Sequence, residues 1–460
     1  MINRILSKEE EKIAISLSTL LEKQNYTQTL AVNELAIHKS VVATFSTGSG
    51  KTFIAIKAIQ RCSEKFGGSY IVVVPDRRLS DVWKKFLKNI PNVYVYVVHS
   101  FTMKDVYIPN DVLMCIYDEC HHYLSKDNIY FSTAISKIDC KYKLLLSATL
   151  SENHLKYCEE LGVKLNFSLP IIQAFKIGLV AEFKFYNIPV EFTPKEKMEF
   201  LKIQNEYKNY LYKFEQYIAL FPNANVNYAA YLAGCVLKDK KGKTNKYKWE
   251  GRVFNSSKEL ATDIATKLNI GIGSVYYFAN KWQVEMGKRC RLYYNAENKL
   301  KLANQLLELI SSTEKVVVFN SNKRNADALT KFGKGRQSYY SGKDSSDILK
   351  KFQSGEFPVL NVVKKADEGD LDDEVSIGIN LFHVSTQTAI NQRLGRLCRK
   401  DKNNPNKIGF LISIYVDDFY FGEERMYSSD LNWLRQSLKN SKFITFIESI
   451  EEIEELYETI

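Results

Sequence analysis

The segment STGSGKT (46–52) constrains this chain more than any other feature of its sequence. It follows the β-rich run SVVATF (40–45) and leads into FIAIKAIQRC, which has helical periodicity. Glycines at such a junction let successive backbone N–H groups face phosphate oxygens, and the N-terminus of the helix adds partial positive charge. The junction therefore predicts a site for the phosphates of a nucleotide.

Five residues of this segment are predicted to bind the nucleotide: Gly48, Ser49, Gly50, Lys51 and Thr52. The Lys51 ammonium is expected to reach the β- and γ-phosphates, and the Thr52 hydroxyl is expected to ligate Mg²⁺. The usual pattern has a glycine six residues before the lysine, where this chain has Phe45. Gly48 is expected to supply the backbone freedom instead.

Strands and helices alternate on both sides of a helix-rich middle region. Buried-type strands are predicted at 40–45, 70–75, 93–99, 112–119, 142–149, 315–320, 358–363 and 407–416. Helices are predicted at 5–35, 81–90, 298–310, 389–400 and over much of 190–300. This pattern predicts an α/β fold with two parallel-sheet domains in tandem and a helical insertion between them. The expected boundaries are 1–170, 171–300 (linker and insertion), 301–425 and 426–460 (a helical extension).

Two acids end the strand at 112–119. Asp118 is expected to hold Mg²⁺, and Glu119 is expected to orient and deprotonate an attacking water. Carboxyl ends of neighbouring parallel strands meet at one edge of a sheet, which is where sites form in α/β proteins. Ser147-Ala148-Thr149 ends the next strand, although alone it is typical of an ordinary strand end.

A third set of residues lies on the helix predicted at 389–400. Gln392, Arg396 and Arg399 are spaced four and three apart, so a helix places them on one face. Guanidinium groups stabilise the charge that develops on a transferred phosphoryl group. Without the two segments upstream, a solvated basic face would be the better interpretation.

Composition narrows the partners and the compartment. The formal net charge of +11 favours a polyanionic partner, nucleic acid before anionic lipid. The eight cysteines include no C-x-x-C pair, which indicates reduced thiols, and the group around Cys115, Cys120, His121 and His122 is not expected to bind zinc. The sequence shows neither an export signal nor a membrane span, so we expect no membrane association and a cytoplasmic protein.

The order STGSGKT, PDRRL, DECHHY, SATL, ADEGD and QRLGRLCR resembles the superfamily 2 helicases. The resemblance spans most of 28–400 and implies two RecA-like domains with ATP and Mg²⁺ bound between them. It implies that Gln28 reads adenine, that Arg396 and Arg399 are arginine fingers, and that Gln392 contacts the γ-phosphate or water. It also implies a set of DNA-contacting positions: Arg77, Arg78, Thr149, Asn320 and Lys364. The match to ADEGD (366–370) is imperfect: the family's last acid could fall on Asp370 or on Asp372, so its ribose contact stays open.

Within the superfamily, the stretches PIIQAFKIGLVAEFKFYNIPVEFT and RCRLYYNAENKLKLANQLLELI look like phage UvsW-type branch-migration helicases and the XPB-like group. We therefore expect a monomeric DNA helicase that remodels branched DNA, in the host cytoplasm if a phage encodes it. The loop 238–252, with Lys, Tyr and Trp together, is an expected DNA contact. An RNA helicase and a binding module with a vestigial ATP site remain alternatives. A restriction-enzyme motor subunit is a variant of the DNA-helicase hypothesis, but the sequence shows no nuclease pattern beside the helicase motifs.

Overall fold

The structure is a computed structural model. It describes the chain except residues 104–105, 125–128, 222–227, 239–246, 250–251, 311–313, 341–344, 364–373, 384–392, 402–403, 405, 438–444 and 447–460. The chain divides into two compact units, of which the second comprises Pro189–Leu302 and Val416–Leu431. The first unit contains two large sheets, and the second is mainly helical.

The first sheet has seven parallel strands. They are β1 (Ile2–Arg4), β2 (Ser40–Phe45), β3 (Ser69–Val74), β4 (Val93–Val97), β5 (Val112–Tyr117), β6 (Tyr142–Ser147) and β7 (Leu165–Leu169). Their order in the sheet is β1-β7-β2-β6-β5-β3-β4, and every neighbouring pair is parallel. The central strands are buried along nearly their whole length, which explains their continuous apolar sequences.

In the part of the chain that the structure describes, eight α-helices accompany this sheet. They are α1 (Lys8–Ser16), α2 (Leu20–His38), α3 (Lys51–Phe66), α4 (Arg77–Phe86), α5 (Val98–Met103), α6 (Ile129–Ser136), α7 (Glu152–Glu160) and α8 (Ile171–Lys176). The single helix predicted at 5–35 is wrong: it is two helices, because Thr19 and Glu22 form a capping box that starts α2 after an extended Leu17. Helix α4 also begins earlier than predicted, where the Asp76 side chain accepts from the Leu79 amide.

The second sheet also has seven strands. They are β8 (Glu182–Val190), β11 (Val316–Asn320), β12 (Arg336–Tyr339), β13 (Val359–Val363), β14 (Ile377–Asn380), β15 (Ile408–Val416) and β18 (Thr445–Phe446), in the order β12-β13-β11-β14-β15-β8-β18. The helices around it are α13 (Glu297–Ile310), α14 (Lys323–Lys331), α15 (Ser345–Gln353), α16 (described at 393–397) and α17 (Ser429–Ser437). The prediction of two parallel-sheet α/β domains is confirmed.

Two segments differ from the sequence-based expectation for their regions. Strand β8, within the range expected to be linker, is a strand of the second sheet. Residues 445–446 were expected to be helical, but they form β18 and pair with Tyr186 and Asn187 of β8. The rest of the predicted C-terminal helix lies outside the described residues. Within the described part of the chain, no helix combines the length and apolar character that crossing a bilayer requires.

The second unit is built on long helices. They are α9 (Pro194–Ile218), α10 (Ala229–Val236), α11 (Ser257–Lys267) and α12 (Ile272–Tyr294), with two hairpins, β9 (Tyr247–Trp249) with β10 (Arg252–Phe254) and β16 (Phe419–Phe421) with β17 (Glu424–Met426). Phe214, Leu260 and Trp282 belong to the core that these helices share. The helical character predicted for this region is therefore present. Most of the loop 238–252 lies outside the described residues.

A buried ion pair joins the two chain segments of this unit. The Lys299 ammonium contacts Oδ2 of Asp430, and both side chains are almost completely buried, with exposed fractions of 1% and 0%. Oδ2 also accepts a hydrogen bond from the Val416 amide at 2.8 Å. A carboxylate buried this deeply is costly unless a cation and hydrogen-bond donors surround it.

We predict that Lys299→Met destabilises the protein by about 3–5 kcal/mol, because it leaves the Asp430 carboxylate buried without its cation. The matched control is Lys301→Met on the same helix. Its partner is Glu297, at 2.7 Å in an exposed pair, so its loss should cost only about 0.3–0.5 kcal/mol. Urea unfolding measures both. Equal, small effects for the two variants would contradict the prediction.

Candidate nucleotide-binding site

Four adjacent strands of the first sheet end at the same edge. Strands β2, β6, β5 and β3 are neighbours and parallel, so their carboxyl ends lie side by side. The segments that follow them are those the sequence singled out: STGSGKT, AT, DECHH and PDRR. The topology therefore brings the predicted phosphate loop, the paired acids and the basic segment to one edge.

The loop after β2 has the backbone that its glycines were expected to permit. Gly48 and Gly50 both have φ of +87°, in the left-handed region that favours glycine. The Ser49 hydroxyl donates to the Ser46 carbonyl at 2.6 Å and closes the turn. Among the described residues, no side chain caps the N-terminus of α3, so its first N–H groups can serve a phosphate. The departure at Phe45 is harmless because that residue is still in the strand.

Lys51 lies at the first position of α3, only partly exposed. Burial lowers the pKa of its ammonium, and the nearby carboxylates of Glu119 and Asp118 oppose that shift. The guanidinium groups of Arg396 and Arg399 lower it further. The acids that follow β5 and the arginines of the α16 segment therefore both influence the pKa of this ammonium.

Asp118 is buried, with 5% of its surface exposed. Its Oδ2 accepts from Nε1 of Trp83 at 2.7 Å, and its Oδ1 accepts from the Glu119 amide at 3.0 Å. Burial raises the pKa of this carboxyl, and the adjacent Glu119 raises it further, whereas Trp83 and Lys51 favour the ionised form. An anionic residue held this way suits a cation-binding role.

Glu119 has the backbone of a strained turn. Its φ of +46° lies in the left-handed region, which is unusual for a residue other than glycine. Its Oε2 lies 3.5 Å from Nδ1 of His121 and accepts no hydrogen bond from the described residues. Nδ1 of His121 is also 3.2 Å from the Ser147 hydroxyl, which donates to the Thr149 carbonyl at 2.9 Å. Glu119 is thus connected through His121 to the SAT segment.

Glycine residues allow helix α16 and the segment after it to approach the phosphate loop closely. A Cβ added at Gly395 would lie 2.5 Å from Cβ of Thr47, and one added at Gly48 would lie 3.1 Å from Cγ of Arg399. Arg396 is buried and Arg399 half-buried. The described helix ends at residue 397, so Arg399 follows it in a bend rather than on the predicted helical face. Its amide still donates to the Arg396 carbonyl, at 3.4 Å.

The other predicted site residues differ in their burial and in their distance from the phosphate loop. Nε2 of Gln28 is 3.5 Å from the Gly50 carbonyl, beside the phosphate loop. Arg77 is exposed and Arg78 half-buried in the first turn of α4, and the Thr149 hydroxyl is buried without a hydrogen bond to described residues. Asn320 is only 2% exposed, and Nδ2 of its side chain donates to the Val318 carbonyl. Gln392, Lys364 and the ADEGD acids lie outside the described residues.

Two residues that sequence reasoning did not select take part in this site. Trp83 contacts Asp118 directly, and Arg393 braces the arginine helix by donating to Oδ1 of Asn380 at 2.6 Å and to the Phe382 carbonyl at 2.8 Å. Asp118 is 35 residues from Trp83 in the sequence, so no local sequence pattern indicates this hydrogen bond. Arg393 stood within the selected motif, but its burial could not be seen from spacing alone.

The site fits Mg²⁺ only as an ion shared with a phosphate ligand. Among the described residues, no cluster of three or more His, Cys, Asp or Glu side chains is placed to hold a metal. Magnesium is commonly bound by one or two carboxylates together with substrate phosphates. Asp118 and the hydroxyl of Thr52, at the edge beside the phosphate loop, match that ligand chemistry.

Comparisons with known proteins agree with this geometry. Residues 17–102 match the family described as Type III restriction enzyme, res subunit. The DNA 3'-5' translocase XPB2 of Sulfurisphaera tokodaii is 22% identical over 402 residues, which cover 83% of this chain and 79% of that protein. The structure of S. cerevisiae Dbp5 bound to RNA and ADP BeF3 has a TM-score of 0.55 at 13% identity, covering 97% of this chain and 98% of its own; this likeness concerns the fold.

We predict that Gly395→Ala lowers ATP turnover by about 10- to 100-fold, because the added methyl group forces α16 away from Thr47 and displaces the arginines. The control is Gly273→Ala, where a Cβ would have no neighbour within 4 Å. Steady-state ATPase assays on both variants, with thermal unfolding to verify folding, make the test. Unchanged turnover in Gly395→Ala would show that this close approach is dispensable.

Proposed function

Because the chain is a superfamily 2 helicase, an NTP-hydrolysing enzyme that unwinds nucleic acid, we propose that it is an ATP-dependent DNA translocase that unwinds or branch-migrates forked and four-way-junction DNA. One observation carries the proposal: Gly395 of α16 lies against Thr47 of the phosphate loop, and Gly48 of that loop lies against Arg399, so the segment that carries Arg396 and Arg399 meets the loop that leads into Lys51. That arrangement suits a triphosphate whose hydrolysis depends on both sheets.

Each residue of the site has a part in ATP hydrolysis. The loop amides of 48–50 and the Lys51 ammonium bind the phosphates, and Gln28 contacts the adenine. Thr52 and Asp118 hold Mg²⁺, which when bound supplies charge neutralisation at the phosphate oxygens. Gln392 contacts the γ-phosphate or the attacking water.

Glu119 acts as the general base. Its Oε2, which accepts no hydrogen bond from described residues, is free to take the proton of an attacking water. The 3.5 Å contact with Nδ1 of His121 links this carboxylate to Ser147 and so to the segment after β6. Arg396 and Arg399 stabilise the negative charge that develops during transfer. They lie on α16 and in the bend after it, beside the second sheet, so we propose that closure of the two sheets around ATP drives movement.

DNA rather than RNA is the proposed substrate. The similar XPB2 protein is a DNA translocase by name, and the sequence resembles UvsW-type helicases. The excess of 64 Lys and Arg over 53 Asp and Glu residues suits a phosphate backbone. Contacts come from Arg77, Arg78, Thr149, Asn320 and Lys364, with Asn320 acting through its backbone because its side chain is buried. The protein acts as a monomer in the cytoplasm.

We predict that Lys51→Ala and Glu119→Gln each abolish turnover. The loss of charge stabilisation or of the base should raise the barrier by about 3–4 kcal/mol or more, which corresponds to at least 100-fold in rate. Lys65→Ala, near the far end of α3, is the matched control and should keep wild-type turnover. Hydrolysis rates at saturating ATP provide the measurement, and persistent turnover in both site variants would mean that the site is elsewhere.

We predict that ATPase activity is stimulated by DNA and that the protein remodels forks and four-way junctions in an ATP-dependent way. The assay compares single strands, forks, four-way junctions and RNA duplexes at one salt concentration, since phosphate contacts make binding salt-dependent. Glu119→Gln serves as the control for ATP dependence. Remodelling of RNA duplexes alone would replace the proposal with an RNA helicase, and an inactive wild-type chain would leave a binding module with a vestigial site.

A further inference from the structure

We propose that Trp83 is a positioning residue for the magnesium site: its indole N–H fixes the Asp118 carboxylate in the orientation that Mg²⁺ binding requires. This inference rests on the proposed function, since it assigns a supporting residue to the same site. Trp83 lies on α4, and its Nε1 donates to Oδ2 of Asp118 at 2.7 Å. That distance is typical of a strong, charge-assisted hydrogen bond.

Two donors hold the carboxylate, one on each oxygen. Oδ1 accepts from the Glu119 amide at 3.0 Å, a contact within its own turn, whereas Oδ2 accepts from Trp83, on another element. The backbone contact alone leaves the carboxylate able to rotate about its side-chain bonds. The indole contact removes that freedom, because a buried tryptophan ring cannot follow the motion.

The hydrogen bond is not an automatic result of burying a tryptophan. Trp83 is 1% exposed, and Trp282 in the helical unit is also buried, at 6%. Yet Nε1 of Trp282 is buried without a hydrogen-bond partner among the described residues. This fold therefore accepts an unpaired indole N–H, so the pairing of Trp83 with Asp118 is a specific arrangement of this site.

Magnesium is sensitive to such an arrangement. It demands near-ideal octahedral geometry, so a ligand that turns away by a small angle loses affinity. Residues that orient metal ligands typically contribute 10–100-fold in metal affinity. Because each carboxylate oxygen has more than one lone pair, Oδ2 can accept from Trp83 and leave the remaining lone pairs of the group for a metal or its bound water.

The test uses Trp83→Phe, which keeps an aromatic ring in the core and removes the N–H donor. ADP affinity is measured by calorimetry with Mg²⁺ and with EDTA, and the ratio of the two dissociation constants gives the contribution of Mg²⁺ without any turnover. We expect Trp83→Phe to reduce that ratio by about tenfold or more. The matched control, Trp282→Phe, should leave the ratio at its wild-type value.

The design separates positioning from stability. A variant that is merely looser would weaken ADP binding equally with Mg²⁺ and with EDTA, and an unchanged ratio overturns the proposal. Should Trp83→Phe fail to fold, tryptophan emission is followed as Mg²⁺ is added to the ADP-bound triple variant Trp249→Phe/Trp282→Phe/Trp433→Phe, in which Trp83 is the remaining tryptophan. A change in emission supports the contact, and none overturns it. Wild-type hydrolysis is measured separately, so an inactive wild-type chain counts against the proposed function rather than against Trp83.

Discussion

The enclosure of the Lys51 ammonium by other charged groups is the interaction on which the rest of the site depends. Burial makes an ammonium costly, and it lowers the pKa of this one. Asp118 and Glu119 offset that cost, whereas Arg396 and Arg399 add to it. Three cationic groups and two carboxylates therefore act on the same part of the site. A polyanion accompanied by a divalent cation balances such a set, because the anion satisfies the three cations and the metal satisfies the acids.

Glycine makes that convergence sterically possible. Thr47 lies in the loop after β2 and Gly395 lies on α16, far away in the chain, yet only a hydrogen atom at position 395 fits between them. The left-handed backbone at Gly48 likewise leaves room for the Arg399 stem. The approach of the arginines is thus set by backbone contact rather than by long side chains, which are costly to order. The flexible positions are Gly48 and Gly50, so Phe45 can remain an ordinary core residue of β2.

Local signals explain which parts of the fold could be predicted from the sequence. The strand at 40–45 and the helix after it were predicted with nearly the observed bounds, since continuous β-branched runs and a glycine boundary are strong local patterns. Short strands such as β1 and β12 were not predicted, because their three or four residues carry no pattern and exist only through pairing. The break at Thr19 was missed although its capping box is legible in the sequence.

The site divides in the same way. Residues within contiguous motifs were predicted, and the sheet brings the phosphate loop and the acids together because β2 and β5 end at one edge. Contacts between residues of different elements were not predicted. The hydrogen bond between Trp83 and Asp118, for example, exists only after β3 and β5 pair and α4 packs over them. The roles of the predicted site residues in catalysis and DNA binding remain predictions.

The order of the strands also places the basic segment after β3 close to the acids after β5. The basic first turn of α4 follows β3, the acids follow β5, and β3 and β5 are hydrogen-bonded neighbours. Trp83, less than two turns after Arg77 and Arg78, contacts Asp118 directly. The start of α4 is therefore joined to the Asp118 carboxylate through one helix and one hydrogen bond. Since the fold is shared with a protein solved on RNA, the fold alone does not decide between DNA and RNA.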